Sequence, residues 1–371
     1  MYSVQANGQI RFTGGAATDS TFLFVNNWFN VRFQFYGFRH TRSYMLFEKN
    51  MMIGGTTSAN PACSSYCYYN ALSFVRTSPV SSSQLIMRSN TMHSTYHGLY
   101  IESGSNFGTG SVLNMHNNTI TVRSSYDSIM AYFSAGGRIE FDETNVINKD
   151  LTLYFTGGLS KGFFDLRNAL DMRQIYIYIT GSMDNTQFNF ENVKMTYRMY
   201  IYSSTYWTKN NITFRNVEHT SSSWNVGAAS TTTDTSVEAY NCQFKSTSAY
   251  VWGAGPMTRS RQYMEGNYFK GNAQFTSPFV AASLLHLNAN HFDGQTYVSG
   301  YRRGLSTIYA HDNEMYYVYF TSAAFTNSDL TFERNTIKSN TRAVYFTSCA
   351  MSNSHHLWED NIIDSSAGTQ E

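Results

Sequence analysis

Charged residues are scarce in this sequence, and neither sign dominates. Only 14% of the 371 residues are Asp, Glu, Lys or Arg, and the formal net charge is +1 at pH 7. Nucleic acids and anionic membrane surfaces are bound by concentrated basic faces. The balance of charge therefore argues against nucleic acid as a partner.

Long apolar runs are also missing. No stretch approaches the roughly 20 apolar residues that a membrane-spanning helix requires, so we expect no membrane span in this segment. The first residues, MYSVQANGQIRF, lack the basic and apolar regions of a secretory signal. We expect the chain to be a fragment or a processed form of a longer protein.

Proline and cysteine are rare, with four residues of each. Cys63 and Cys67 stand in a C-x₃-C spacing without nearby histidines, which makes a poor zinc site but can close a small disulfide if the chain is secreted. Cys242 and Cys349 are expected to be buried thiols. The sequence predicts no cofactor and no metal site.

Aromatic residues, in contrast, are abundant, with 28 Tyr and 27 Phe, and they favour strands. A template of apolar, any, apolar, any, any, Asn, any, apolar recurs along the chain, for example at Leu113, Met115, Asn118 and Ile120. We count about 13 or 14 copies, mostly roughly 22 to 28 residues apart, which is the signature of a repeat protein. The segments between copies, such as YVYFTS and AVYFTS, alternate with the period of a strand.

Two repeat architectures share this template. Leucine-rich repeats follow it with a helix or with an extended or 3₁₀ segment, whereas here strand patterns ending in small turn residues follow it. The sequence therefore predicts an all-β fold, a right-handed parallel β-helix (solenoid) of about 13 or 14 coils. We predict a single domain over residues 1–371, with an inserted loop at 53–82 in the longest gap between copies.

The asparagine of the template is predicted to form a structural ladder. A tight turn between strands needs a residue that tolerates left-handed backbone geometry, which asparagine does at low cost. Its amide can also donate to one coil and accept from the next. The ladder residues are Asn27, Asn50, Asn90, Asn118, Asn267, Asn290, Asn313, Asn335 and Asn361.

The signature of strand, asparagine turn and strand resembles the pectin-lyase-like β-helix superfamily. The aromatic, Ser/Thr-rich copies with NNTI-type turns more narrowly resemble the repeat ectodomains of the kinetoplastid dispersed gene family of surface proteins. The superfamily contains lyases and hydrolases that bind polysaccharide along an outer sheet with clustered aspartates. The resemblance therefore implies a β-helix fold and, as one alternative, action on polysaccharide.

A face rich in tyrosine is predicted on the strands that follow the turn. Its outward residues are Tyr100, Tyr132, Tyr154, Tyr176, Tyr178, Tyr200, Tyr202, Tyr319 and Tyr345. Stacked rings can simply shield the sheet, and they can also contact sugar rings or another protein. This face is the candidate ligand or partner surface.

Carboxylates are nearly absent from the tyrosine face, so the catalytic aspartates of the superfamily have no matching positions. We lean against an enzyme. If the chain is one, the candidates are Glu140, Asp142 and Asp165, part of a local acidic concentration. A further outward column of charged residues, which includes His116, Asp142 and His311, is predicted to be a solvated salt-bridge ladder.

The preferred interpretation is a non-catalytic extracellular or cell-surface rod with a structural or adhesive role, self-assembling through its ends or its tyrosine face. Its expected partners are other copies, other surface proteins or glycans. The alternative is a carbohydrate-binding module or a polysaccharide lyase or hydrolase. Sequons at Asn117 and Asn211 permit N-glycosylation on a secretory route.

Overall fold

The structure is a computed structural model of the chain. It describes residues 1–6, 9–30, 32–54, 70–76, 80–123, 126–220, 223–245, 248–253, 255–276, 279–299, 302–321, 324–340, 342–347 and 350–364. All regular structure in these ranges is β-strand, and the strands pair in parallel with strands one coil away. The protein is a parallel β-solenoid of about 13 turns, which confirms the predicted fold class. The chain divides into two compact units, 1–181 and 182–371.

Unit 1 contains three stacks of parallel strands. The ladder sheet of unit 1 leads into the asparagine turn and consists of Thr21–Val25, Tyr44–Glu48, Gln84–Arg88, Val112–His116, Arg138–Phe141 and Phe163–Arg167. Short strands follow the turn at Gln5–Ala6, Trp28–Phe29, Met51–Ile53, Thr91–Ser94, Thr119–Val122 and Val146–Ile147. The tyrosine sheet of unit 1 comprises Ile10–Thr18, Phe33–Thr41, Leu72–Val75, Leu99–Ile101, Asp127–Phe133, Lys149–Phe155 and Met172–Ile179, and a short strand follows at Leu159–Ser160.

Unit 2 repeats this plan. Its ladder sheet consists of Gln187–Glu191, Asn211–Arg215, Ser236–Tyr240, Arg261–Glu265, Leu284–Asn288, Thr307–His311, Asp329–Glu333 and His355–Glu359. Its tyrosine sheet consists of Lys194–Ser203, Ser223–Ala228, Ser248–Gly253, Asn272–Thr276, His291–Ser299, Glu314–Thr321 and Val344–Thr347, with short strands at Glu218–His219, Gln243–Phe244, Tyr268–Phe269, Thr336–Lys338 and Ile362–Asp364. The remaining sheet consists of Met183–Asp184, Trp207–Thr208, Thr232–Thr233, Met257–Thr258, Phe279–Ala281, Arg302–Gly304, Ala324–Thr326 and Ala350–Ser352.

The core is built from the apolar positions of the repeat. Their side chains alternate with outward residues along each strand, as a period of two requires. Residues at the same position of successive coils then stack, as Phe24 does on Phe47 at 4.7 Å between ring centroids and Phe141 on Phe164 at 4.5 Å. Such aromatic stacks fill the interior with large side chains that are fully buried.

The asparagine ladder is present in both units. Where the next coil also carries a ladder asparagine, each one donates its backbone N–H and one Nδ2 hydrogen to Oδ1 of the next, as Asn50 does to Asn90 at 3.0 Å in both bonds. The second Nδ2 hydrogen goes to a backbone carbonyl, which for Asn90 is that of Phe47 at 2.8 Å. Every polar atom of the buried amide is therefore satisfied. The ladder also includes Asn145, which the template missed because one extra residue precedes it.

The left-handed backbone does not lie at the ladder asparagine, contrary to expectation. It lies one residue earlier, for example at Lys49 (φ 54°), Asn117 (φ 51°), Gly266 (φ 64°) and Ala289 (φ 50°). The turn reverses at that exposed residue, so the next side chain points inward and makes the ladder. Asn192 and Asn216, which are one position early in the repeat, are such left-handed residues.

A second polar ladder precedes the ladder sheet, and the sequence reasoning missed it. Ser43 N–H donates to Ser83 Oγ at 2.9 Å, and Ser83 N–H donates to Ser111 Oγ at 3.2 Å. In unit 2, hydroxyl and amide side chains accept the equivalent bonds from the backbone of the preceding coil. For example, Ser260 N–H donates to Ser283 Oγ at 3.0 Å. A Ser two residues before the first apolar position of the template was the available signal.

Part of residues 53–82, which were predicted to be an inserted loop, belongs to the solenoid as a β-strand. Leu72–Val75 is a strand that pairs with Phe33–Tyr36 on one side, and its first residues pair with Leu99–Ile101 on the other. Residues 55–69, including Cys63 and Cys67, lie outside the described residues, as does Cys349. The inserted loop, the disulfide and the single domain stay predictions.

Candidate functional site

The tyrosine sheet of unit 1 carries a cluster of half-buried rings on its outer side. Tyr132, Tyr154 and Tyr178 are register partners on successive coils. The rings of Tyr132 and Tyr154 are nearly parallel, with centroids 4.6 Å apart and an interplanar angle of 11°. The Tyr178 ring is tilted at 64° to that of Tyr154, at 6.5 Å. These tyrosines form one continuous aromatic surface.

Tyr100 and Tyr176 lie on the same face but in a neighbouring column. Tyr100 pairs with Met130, which pairs with Thr152, which pairs with Tyr176. These two tyrosines therefore lie on the predicted face but outside the stack of Tyr132, Tyr154 and Tyr178, because residues two apart on a strand share a face and not a stack. Tyr176 still contacts the surface, with its ring centroid 5.6 Å from that of Tyr154.

Unit 2 has a smaller aromatic group on its tyrosine sheet. Tyr319 stacks on Tyr345 at 5.2 Å with an interplanar angle of 5°. Tyr297 contacts Tyr319 edge-on at 5.6 Å, and Arg342 lies over the Tyr345 ring at 4.5 Å. Tyr200 and Tyr202 form a separate pair at 5.6 Å. Between Tyr200 and Tyr297 the column alternates, with Asn225 and Gln274 on either side of Tyr250.

A buried polar group, which the sequence reasoning missed, lies at the start of the tyrosine-sheet strands of unit 1. Asp127 Oδ2 is 3.6 Å from Nδ1 of His97, and Thr152 Oγ1 donates to Asp127 Oδ1. Asp150, the register partner of Asp127, accepts from Nε of Arg173 at 2.8 Å. Successive members of this group are about a coil apart in sequence and meet at β-bulges. No local sequence motif therefore predicts the group.

Burial dominates the ionisation of this group. It raises the pKa of Asp127 to about 6, with a further increase from the charge of Asp150, while the bond from Thr152 acts in the opposite direction. Burial also lowers the pKa of His97 to about 4. A carboxyl and an imidazole in contact can exchange a proton. However, the side chain of Asp127 is only 13% exposed and Asp150 only 1%, so a substrate has little access to them.

The predicted acidic candidates are only partly brought together. Glu140 and Asp142 line an open depression of about 300 Å³ on the ladder sheet of unit 1, together with Asn114, Met115, Lys161 and Phe163. Asn114 Nδ2 donates to Glu140 at 2.7 Å, and Asp142 is held by His116 and Thr144. Asp165 does not line the depression: it is buried and accepts both bonds of a bidentate pair with Arg167 at 2.9 Å.

The other predicted residues lie at separate places. Asn117 and Asn211 are exposed on unit 1 and unit 2 respectively. Cys242 is buried at a ladder position, and burial raises the pKa of its thiol to about 12. Among the residues that the structure describes, no group of three or more His, Cys, Asp or Glu side chains could hold a metal ion.

Comparisons with protein-family models, with curated proteins and with solved structures find no match to this chain. Within the described ranges, no helix is long and apolar enough to cross a membrane. The geometry of the tyrosine sheets is therefore the main basis for a functional proposal.

Proposed function

We propose that this chain is a non-catalytic β-helix module of an extracellular or cell-surface protein, with a structural or adhesive role, and that the tyrosine face of unit 1 is its contact surface. The observation that carries the proposal is the stack of Tyr132 on Tyr154, continued by Tyr176 and Tyr178. All four rings are half-buried, so each keeps an exposed edge or face while its neighbours hold it in place.

The physical advantage of this arrangement is preorganisation. A rigid ring loses little conformational freedom when a partner covers it, and tyrosine offers both a large apolar area and a polar tip. Glu102, which directly follows the strand Leu99–Ile101, already accepts the backbone N–H of Arg76 at 2.6 Å. A second copy of the chain fits such a face.

The test compares two tyrosine variants. Tyr132→Ala with Tyr154→Ala removes the stacked pair, and Tyr44→Ala removes a half-buried outward tyrosine from the ladder sheet of the same unit. Sedimentation velocity over a range of concentrations, together with binding to immobilised wild-type protein, measures association. We expect the double variant to lose association while Tyr44→Ala retains it. Equal association of all three proteins, or a strictly monomeric wild type that binds no copy of itself, would contradict the proposal.

A carbohydrate-binding module is the second candidate. The stacked rings of Tyr319 and Tyr345, with Arg342 over the second ring, favour it because aromatic side chains are common sugar contacts and a guanidinium adds affinity for acidic sugars. A panel of neutral and acidic oligosaccharides tests it by calorimetry, with Tyr345→Ala as the variant. A ligand that binds wild type and Tyr345→Ala equally would exclude this site.

A polysaccharide lyase or hydrolase is the remaining alternative, and it would use the depression that Glu140 and Asp142 line. It predicts turnover of an acidic polysaccharide that Asp142→Asn reduces. Absence of turnover over a broad substrate panel would count against it. Asp165 is a weaker candidate because Arg167 occupies its carboxylate.

We also infer kinship with the pectin-lyase-like right-handed β-helix superfamily, and more narrowly with the ectodomains of kinetoplastid dispersed gene family proteins. The ladder and the coil length support the first, and the aromatic, Ser/Thr-rich coils support the second. An extracellular location and N-glycans at Asn117 and Asn211 belong to the same proposal. Enzymatic deglycosylation of protein from a secreting host, followed by mass spectrometry, tests the glycans directly.

A further inference from the structure

Two histidines meet on neighbouring strands of the ladder sheet of unit 2. His286 lies in Leu284–Asn288 and His311 in Thr307–His311, and their Nε2 atoms are 2.8 Å apart. The register partner of His286 is Tyr309, so the two imidazoles approach diagonally across the sheet. Both rings are outside the core, on the outward side of their strands, and both are partly buried.

A carboxylate fixes the orientation of the second ring. Nδ1 of His311 is 2.9 Å from Oδ2 of Asp312, and Arg334 holds that carboxylate through bonds of 2.7 and 2.8 Å. A carboxylate at one ring nitrogen keeps the proton there and leaves the lone pair of the other nitrogen free to accept or to ligate. In the metal-free protein, His286 Nε2–H therefore donates to Nε2 of His311.

The first ring is held by its aromatic neighbours. The ring centroid of His286 is 4.5 Å from that of Tyr263 and 5.0 Å from that of Tyr309. Two imidazole nitrogens that lie within 3 Å of each other, on rings held by their neighbours, suit a chelating pair of ligands.

We propose that His286 and His311 form a two-histidine site for a divalent late transition metal, with Cu²⁺ preferred and Ni²⁺ next. At metal–nitrogen distances of about 2.0 Å, nitrogens separated by 2.8 Å subtend an angle of about 90° at the metal. That is the angle of square-planar and tetragonal Cu²⁺ and Ni²⁺, whereas tetrahedral zinc would need the nitrogens about 3.3 Å apart.

When the metal binds, His286 takes the tautomer that carries its proton on Nδ1, so the Nε2 lone pairs of both rings are free to ligate, and both rings turn away from the line that joins the two nitrogens. Water or a ligand from a partner molecule fills the remaining positions, because no third side chain in the described part of the chain completes a group of metal-ligating residues. Asp312 acts as a positioning residue through the Nδ1 of His311. The site is independent of the tyrosine face and of any adhesive role.

The test titrates metal-free protein with Cu²⁺ in competition with a chromophoric chelator and records the electron paramagnetic resonance spectrum. We expect one equivalent to bind with hyperfine coupling to two nitrogens, and Ni²⁺ and Zn²⁺ to bind more weakly. His286→Gln and His311→Gln should each weaken Cu²⁺ binding by at least tenfold. His355→Gln, at an exposed histidine of the same sheet, should leave both affinity and spectrum unchanged.

A further variant separates ligation from simple folding effects. Asp312→Asn keeps both ligands and removes only the carboxylate at Nδ1, and we expect it to weaken Cu²⁺ binding about tenfold. Circular dichroism establishes that each variant is folded. The proposal is overturned if His286→Gln binds Cu²⁺ as wild type does, or if the two-nitrogen spectrum persists without His311.

Discussion

Asn90 donates twice to the same atom of Asn118, from its backbone N–H at 3.1 Å and from Nδ2 at 2.9 Å. Oδ1 of Asn90 in turn accepts both donors of Asn50, each at 3.0 Å. The Asn90 side chain therefore links its two neighbouring coils. No other side chain of this length combines an NH₂ donor with an oxygen that accepts two hydrogen bonds. The strength of this link can be measured.

Asn90→Ala is expected to lower the free energy of unfolding by about 3 to 5 kcal/mol, because it leaves buried polar groups of Asn50 and the carbonyl of Phe47 without partners. Urea denaturation measures the change. Asn114→Ala is the control: its side chain is outward on the neighbouring strand and makes one bond to Glu140, so its loss should cost about 1 kcal/mol. A similar loss of unfolding free energy in the two variants would mean that a ladder asparagine contributes no more to stability than an outward asparagine with one hydrogen bond.

Cys242→Asn should extend the ladder of unit 2 and raise stability by about 1 kcal/mol. Cys242 occupies a ladder position, and its backbone N–H already donates to Oδ1 of Asn267 at 2.8 Å. The backbone of Val217 hydrogen-bonds the thiol, so an amide oxygen there would gain a stronger donor and Nδ2 would reach Asn267. Cys242→Ser is the control, because a hydroxyl cannot make both bonds. The idea fails if Cys242→Asn unfolds at lower urea concentration than Cys242→Ser.

Glycine should have opposite effects at two adjacent residues. Ala282 is exposed and left-handed, with φ 48°, whereas its neighbour Ala281 is an exposed residue of the strand Phe279–Ala281. Ala282→Gly relieves the clash of Cβ in left-handed backbone, and Ala281→Gly only adds chain entropy to the unfolded state. We expect Ala282→Gly to be more stable than Ala281→Gly by about 1 to 2 kcal/mol in thermal or urea unfolding. Equal stability would show that the turn tolerates alanine without strain.

The repeat made most of the fold predictable, because one template fixes both the core positions and the coupling between coils. The template did not predict Asn145 as a ladder residue because its turn is one residue longer. It did not predict the serine ladder at Ser83 because the template begins after that residue. At the candidate site, the period of two placed the tyrosines on one face. It could not assign Tyr100 and Tyr154 to separate columns, because the number of residues per coil varies: the register partners Tyr100, Met130 and Thr152 are 30 and then 22 residues apart.

Contacts between side chains that are distant in sequence were beyond prediction. Asp127 and Arg173 reach the same buried group through different bulged strands, and His286 meets His311 across a diagonal of the sheet. Each contact depends on the register of neighbouring coils to within a single residue. A sequence pattern gives the number of coils and their faces, but it does not give that register.

Stability should fall as the pH is lowered from 7 to 4, and His40 should account for a large part of the change. His40 is fully buried among aromatic rings, with those of Phe38 and Phe35 at 4.9 and 5.1 Å. Neither ring nitrogen has a hydrogen-bond partner among the described residues. Burial lowers the pKa of His40 from 6.5 to about 4, so the unfolded chain binds a proton that the folded chain does not.

The contribution of His40 is thus complete above pH 6.5 and is lost as the pH falls toward 4, by about 3 kcal/mol in total. His40→Leu should flatten the pH dependence of the free energy of unfolding in this window, and His355→Gln, at an exposed position, should leave it unchanged. His219 and His97 act in the same direction as His40. Asp127 acts in the opposite direction, because a proton bound with a pKa of about 6 stabilises the folded state as the pH falls. A wild-type profile as steep as that of His40→Leu would mean that His40 is protonated within the fold.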